Sequence, residues 1–273
     1  MTGPLLAALL LAACSDRAPP IVNAAPPQPR AGAAWGIDLA HSTSPFLDQL
    51  RHGRIQFVAR YYRAPDSHLP RLTAAEAQRL SALGLKIVAI FESHSENPIY
   101  FSYARGYWDA VTAAQQAVAA GQPAGSAIYF GVDFNAQGWQ LASVEQYFRG
   151  VDNGMAAVGR GRRPYEIGVY GSGAVCGIVK GSGLARYAWL SNSTAWAGVK
   201  TYRDWNIRQG TRFATLSFDH DANEAWGAYG GFRVAVDATP APPAVAVARN
   251  APPPMPAPQQ EWVTAALGGW LGR

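Results

Sequence analysis

The chain has 273 residues, of which 49% are hydrophobic and 15% charged. That excludes a peptide, a disulfide-stapled mini-domain and a globally disordered chain, and leaves room for one large core. The net charge of +5 is too dilute for a dedicated nucleic-acid binder, and two cysteines cannot build a disulfide framework.

Residues 5 to 13 read Leu-Leu-Ala-Ala-Leu-Leu-Leu-Ala-Ala and lead into Cys14. The run is too short for a bilayer core of about 30 Å, which takes about 20 residues, but has the length of a signal-peptide core. Leu11-Ala12-Ala13-Cys14 resembles a bacterial lipobox, which implies cleavage before Cys14 and lipidation of its thiol. Met1 to Pro4 departs from the pattern in carrying no Lys or Arg. The plainer alternative is an ordinary signal peptide with an incidental cysteine; the Pro-rich stretch that follows favours the lipoprotein. The expected organisation is a leader over 1–14, a tether over 15–34, a folded domain over 35–236, a Pro/Ala-rich linker over 237–260 and a short amphipathic tail over 261–273. Export to the periplasmic or cell-surface side, anchored to the membrane at Cys14, follows from that leader.

Within the domain, short apolar runs alternate with helical segments. Strands are expected at Trp35 to Ala40, Phe57 to Tyr62, Lys86 to Glu92, Ala127 to Phe134, Glu166 to Tyr170, Tyr187 to Ser191, Trp205 to Gln209 and Ala214 to Phe218. Thr73-Ala74-Ala75-Glu76 is a capping box that opens a helix running to Leu83. Further helices are expected over Tyr103 to Ala120, closed by Gly121, and over Leu141 to Val158. Alternating strands and helices predict a parallel sheet with right-handed crossovers. Eight such units predict a single, small (β/α)8 barrel of the TIM type. An open nucleotide-binding sheet lacks its Gly-rich loops here, and no Cys/His cluster has zinc spacing, so neither cofactor nor metal is expected.

Acids recur at strand ends. Asp38 lies near the end of the first strand, Glu92 ends the third, Asp133 ends the fourth with Asn135 on the same face, and Asp219 and Asp221 follow the last. In a closed parallel barrel these ends converge on one mouth. Crowded carboxylates raise one another's pKa, which supplies the protonated acid that glycosidic cleavage needs, and aromatic rings stack on sugar faces. Tyr61, Phe91, Tyr129, Tyr170 and Trp189 are the nearby aromatics. For any single acid, capping a helix or pairing with Arg60 or Arg63 is the commoner role; four strand ends together favour a site.

Gly36-Ile37-Asp38, the strand ending Tyr129-Phe130-Gly131-Val132-Asp133, and Asp221-Ala222-Asn223 resemble the glycoside hydrolase family 25 lysozymes. Phe57-Val58-Ala59-Arg60-Tyr61, Leu72 to Ala77, Gly84 to Val88, Ile128 to Phe134 and Gly168-Val169-Tyr170-Gly171-Ser172 resemble, more closely, the bacterial secreted glycoside-hydrolase-like domain family related to those lysozymes. The likeness covers nearly all of 36 to 234 through an ordered series of pieces. It implies a (β/α)-barrel with an acidic cleft and a cell-wall polysaccharide of the peptidoglycan type as substrate or ligand. The lysozymes end the fourth strand in Asp-x-Glu, with that Glu as general acid; here the pair is Asp133-Phe134-Asn135, and Asn donates no acidic proton. Either Glu92 reaches across as the acid with Asp133 stabilising the developing cation, which is the preferred reading, or Asp133 is the acid assisted by Asp38 or Asp221. Substrate contacts are expected from Asn135, Tyr61, Arg60, Tyr170, Trp189 and Asp219.

Two rival classes stand beside the hydrolase: a barrel that has lost catalysis and only binds cell-wall sugar, and a scaffold lipoprotein that holds partners through its Pro-rich tails. The hydrolase is expected to act as a monomer. Cys176 reads as a buried structural thiol, Arg160 to Pro164 as a solvated basic loop, and His94 and His220 as loop histidines.

Overall fold

The computed structural model describes residues 32–236, apart from 211, 212, 214 and 215. The leader with Cys14, most of the tether, the 237–260 linker and the 261–273 tail lie outside the described residues. Eight strands close into one barrel in chain order: β1 Ala34–Asp38, β2 Phe57–Tyr62, β3 Lys86–Phe91, β4 Ala127–Gly131, β5 Glu166–Gly171, β6 Tyr187–Leu190, β7 Ile207–Gln209 and β8 Asp221–Ala225. Five α-helices pack outside: α1 Leu47–His52, α2 Ala74–Ala82, α3 Tyr103–Ala120, α4 Trp139–Val158 and α5 Gly173–Gly181.

The expected barrel is therefore present, with two departures. No α-helix follows β6 or β7 among the described residues. The 191–206 connection instead packs Val199 and Trp205 on Leu190, with Trp196 and Tyr202 against them. The last strand is Asp221–Ala225, not Ala214 to Phe218; Leu216, Ser217 and Phe218 are not strand, and 214 and 215 lie outside the described residues. β8 also runs antiparallel to both β7 and β1. The 210–220 stretch is short for a parallel crossover, which takes a dozen or more residues and usually a helix, so the chain turns back instead.

Alternation along each strand sorts side chains between two cores. Phe57, Ala59, Val88, Ile90, Ala127, Tyr129, Tyr170, Tyr187, Trp189, Ile207 and Ala225 fill the barrel interior. Val58, Tyr62, Ile87, Ala89, Phe91, Ile128, Phe130, Ile167 and Val169 face the helices. Gly36 and Gly168 lie in the inward rows, where a Cβ would run into the Phe57 and Tyr129 rings. After β8 the chain emerges at the bottom and plugs it. Tyr229 packs on Phe57 at 5.2 Å, the Tyr129 hydroxyl donates to the Tyr229 carbonyl at 3.0 Å, and Phe232 bridges to Ile87. The interior is thus filled below, and only the mouth is left for chemistry.

Candidate active site

The mouth collects the side chains that continue the inward rows. Asp38 ends β1 and stands opposite Asp221, the first residue of β8. Antiparallel β8 therefore starts where its neighbours end, which is why an acid before the last apolar residues still reaches the same rim. Asp38 is 4% exposed and accepts three hydrogen bonds: Tyr61 Oη at 3.2 Å, Gln209 Nε2 at 3.3 Å and Asn223 Nδ2 at 2.6 Å. The same Gln209 amide donates to Asp221 at 3.1 Å, and its carbonyl accepts the Tyr170 hydroxyl at 3.0 Å. One glutamine thus ties β1, β5, β7 and β8 together at the rim. Burial pushes the Asp38 carboxyl up to about 7 against the pull of its donors, with Asp221 adding like-charge repulsion.

Glu92 follows β3, with its side chain one-fifth exposed. It leans over β4, its Cγ and Oε2 about 3.1 Å from where a Cβ on Gly131 would stand. Burial, then the Asp133 charge, pushes Glu92 up to about 7, while Arg63 pulls the other way. Arg63 continues the inward row of β2. Its guanidinium lies 4.1 Å from the Tyr61 ring centre, 3.3 Å from the Glu92 carbonyl and 3.9 Å from its carboxylate, and its buried Nε has no partner. Asp133 is part-buried and raised by burial and then by Glu96, with the nearby Tyr170 phenol favouring its carboxylate form. Asp221 is raised by burial and then by exposed Asp219.

The structure thus brings Asp38, Glu92, Asp133, Asp221, Tyr61 and Tyr170 to one rim, with Asp219 beside them. It does not bring Arg60 there. Arg60 is 0% exposed on the outward row of β2, donates to Glu76 at 2.9 Å and to the Leu39 carbonyl at 2.8 Å, and cannot contact a ligand. Glu76 spends its carboxylate on Arg60 and Thr43, while Thr73 caps α2 by accepting from the Glu76 N–H at 3.2 Å. Trp189 points inward but lies below the mouth, 1% exposed, with its rings edge-on to Tyr129 and Tyr170, so it too is withdrawn from the cleft. Tyr129 shares that interior layer, and Phe91 belongs to the outer core. Asn135 accepts the Ala197 N–H at 2.8 Å and so fastens the 191–206 connection to the end of β4. Cys176 is fully buried, and burial raises its thiol to about 12.

Sequence reasoning missed Gln209 and gave Asn223 no role. Both follow from spacing of two: Gln209 shares the face of Ile207, and Asn223 that of Asp221. Among the described residues no three His, Cys, Asp or Glu side chains are grouped to hold a metal ion.

A family model described as "Rv2525c-like, glycoside hydrolase-like domain" matches residues 48–240. Two Bacillus subtilis proteins are similar in sequence: YbfG, 33% identical over 123 residues (44% of this chain, 17% of that protein), and FadG, 31% identical over 167 residues (59% and 28%). The chain thus spans less than a third of the length of the curated relatives it matches. Among solved structures, the Mycobacterium tuberculosis Tat-secreted protein Rv2525c, in complex with HEPES, shares the fold. Its TM-score is 0.59 at 21% identity, over 74% of this chain and 99% of that one.

Proposed function

The chain belongs to the Rv2525c-like glycoside hydrolase-like domain family, and from that premise we propose that it hydrolyses a cell-wall glycan of the peptidoglycan type at the barrel mouth, with Glu92 as proton donor and Asp133 as the carboxylate facing the developing cation. The observation that carries this is a partly exposed carboxyl, Glu92, held up to about 7 by burial and by Asp133. An acid near neutrality keeps a proton to give and still gives it readily. Glu92 donates that proton to the glycosidic oxygen as the bond to the anomeric carbon breaks. Positive charge then builds on the sugar ring, and Asp133 answers it. Water adds at the anomeric carbon and passes its proton to a carboxylate, which resets the site. Asp38, sunk beneath three donors and held up to about 7, adds negative potential below the ring only when ionised, with Asp221 beside it; Tyr61, Tyr170 and Asp219 stand where sugar hydroxyls can be met.

The apolar leader and the lipobox-like Leu11 to Cys14 support export and a lipid anchor at Cys14, and a Tat-secreted protein shares the fold. The Pro-rich tether then lets the barrel stand off the membrane and reach a polymer. One observation favours a second reading, a sugar-binding barrel without turnover: Asn135, at the place of the lysozyme acid, is engaged with Ala197.

The test measures new reducing ends from peptidoglycan and from N-acetylated and neutral glycans with the purified chain. Turnover is expected in the parent and a loss of at least about 100-fold in Glu92→Gln and in Asp133→Asn, both still folded. Full turnover in both variants would remove these residues from the mechanism. Glycan binding that Asp133→Asn weakens, with no turnover in the parent, would establish the second reading.

A further inference from the structure

The mouth of the barrel carries acids, and the opposite end carries cations. Arg54 precedes β2, Lys86 opens β3, Arg160 and Arg162 precede β5, and Arg233 follows β8 in the plug, so all lie at the bottom. Each is exposed, and none forms an ion pair among the described residues. Asp152 and Glu166, the acids beside the Arg160 to Pro164 loop, are taken by Arg163 and by Arg186, the latter at 3.1 Å. Arg54 and Arg160 hold φ of +53° and +56°, where a turn usually places Gly or Asn, so two loop tips carry arginine at a conformational cost. Lys86 and Arg233 line one cavity of about 430 Å³ together with Gln56 and Tyr229, and the Lys86 ammonium stands 5.3 Å from the Tyr229 ring centre. At the same end the surface is apolar in two places: Trp226, 37% exposed, and Val236, 53% exposed. The chain enters the barrel here, through Gly32 into β1, and leaves it here through Val236.

We propose that the bottom of the barrel is a docking face for an anionic phospholipid surface, with Lys86 and Arg233 taking a headgroup phosphate in their shared cavity. Cations that no carboxylate neutralises are drawn to an anionic leaflet within about a Debye length of it. A tryptophan suits the same depth, because its ring is apolar and its N–H is not. The acids at the other end are repelled by that leaflet, so charge alone turns the mouth away from the bilayer. A phosphate-bearing wall polymer would satisfy the cations but would offer Trp226 and Val236 no apolar phase, which is why lipid is the partner argued here. The docking face needs neither glycan hydrolysis nor an acyl chain at Cys14.

The test is co-sedimentation of the intact chain with vesicles of phosphatidylcholine and with vesicles in which phosphatidylglycerol replaces about a third of it. Whatever the leader or an acyl chain adds is common to both, so the ratio of the two partition coefficients reads the charge contribution. That ratio is expected to reach at least about 100-fold at low salt and to fall toward unity at about 1 M salt, where the Debye length is about 3 Å. Lys86→Gln and Arg233→Gln are each expected to lower it about fivefold, the worth of one cation near an anionic surface. Both side chains are exposed, so the variants are expected to keep the parent's thermal melt. Arg71→Gln, which removes an exposed cation between β2 and α2 at the mouth end, is expected to keep the parent ratio. A parent ratio near unity, or an equal loss in Arg71→Gln, overturns the proposal. So does a chain that ignores both vesicles and instead binds polyglycerol phosphate through Lys86 and Arg233, which would make this face a wall-polymer site. Partition needs no turnover, so a chain that cleaves no glycan still decides the matter.

Discussion

Arg60 and Arg63 stand three positions apart on one stretch of chain and so serve opposite sides of the barrel wall. Arg63 continues the inward row and shapes the charge at Glu92; Arg60 faces out, fully buried, and answers Glu76. A buried pair that loses one partner leaves an uncompensated charge. Glu76→Ala is expected to destabilise the fold by about 3–5 kcal/mol, read as a lowered denaturant midpoint, with the mouth chemistry untouched in whatever chain remains folded. A midpoint near the parent's would mean that water or another group satisfies Arg60. Asp221 opens β8, whereas Asp38, Glu92 and Asp133 were legible because each ends a recognisable apolar run. The side taken by Arg60 was not. Phe57-Val58-Ala59 and Tyr61-Tyr62 are apolar or aromatic at every position, so the pattern carries no phase to say which row faces in. Trp189 shows the other limit. Its inward direction follows from alternation, but its depth below the rim depends on strand tilt and on neighbouring strands.

At the scale of elements, α3 and α4 approach so closely that glycines replace side chains between them. A Cβ on Gly106 would run into the Tyr147 carbonyl, one on Gly150 into the Tyr103 carbonyl, and one on Gly154 into the Tyr107 carbonyl. Gly150→Ala is expected to cost about 1–3 kcal/mol, because backbone cannot move aside as a side-chain tip can. Gly177→Ala, inside α5 with its nearest neighbour atom 3.8 Å away, is expected to gain about 0.5–1 kcal/mol from helix propensity alone. Thermal melts of the two variants should move in opposite directions; equal shifts would refute the contrast. The bounds of α3 matched expectation because local signals exist at both ends: the Ser102 hydroxyl caps its N-terminus, and Gly121 in the left-handed conformation closes it. The last strand was misplaced for the opposite reason. Asp-Ala-Asn-Glu-Ala has no strand propensity of its own; it is a strand because β1 and β7 each need a partner on that edge and closure supplies one.

For the whole molecule, barrel closure decides what can react. The plug at 226–236 and the interior rings fill the lower barrel, so charge concentrates at a single open end. Asp38, Glu92, Asp133, Asp219 and Asp221 stand there, with Glu96 beside Asp133 and Arg63 as a close cation. Four of them, Asp38, Glu92, Asp133 and Asp221, are held above the ordinary carboxylate range, burial being the first cause in each case. Two of the four lie at about 7 and differ in access: Asp38 is sealed beneath its donors, whereas the Glu92 side chain keeps one-fifth of its surface exposed. That difference in access makes Glu92 the proton donor of the proposed reaction. The measurement that tests this role most directly is the pH dependence of reducing-end release from peptidoglycan by the intact chain. With Glu92 as the acid, its protonated form is required, so the rate is expected to fall about tenfold per pH unit above pH about 7, and to fall again on the acid side where Asp133 takes up its proton. A rate that stays level from about pH 6 to about pH 9, or that rises through that range, would contradict Glu92 as the proton donor.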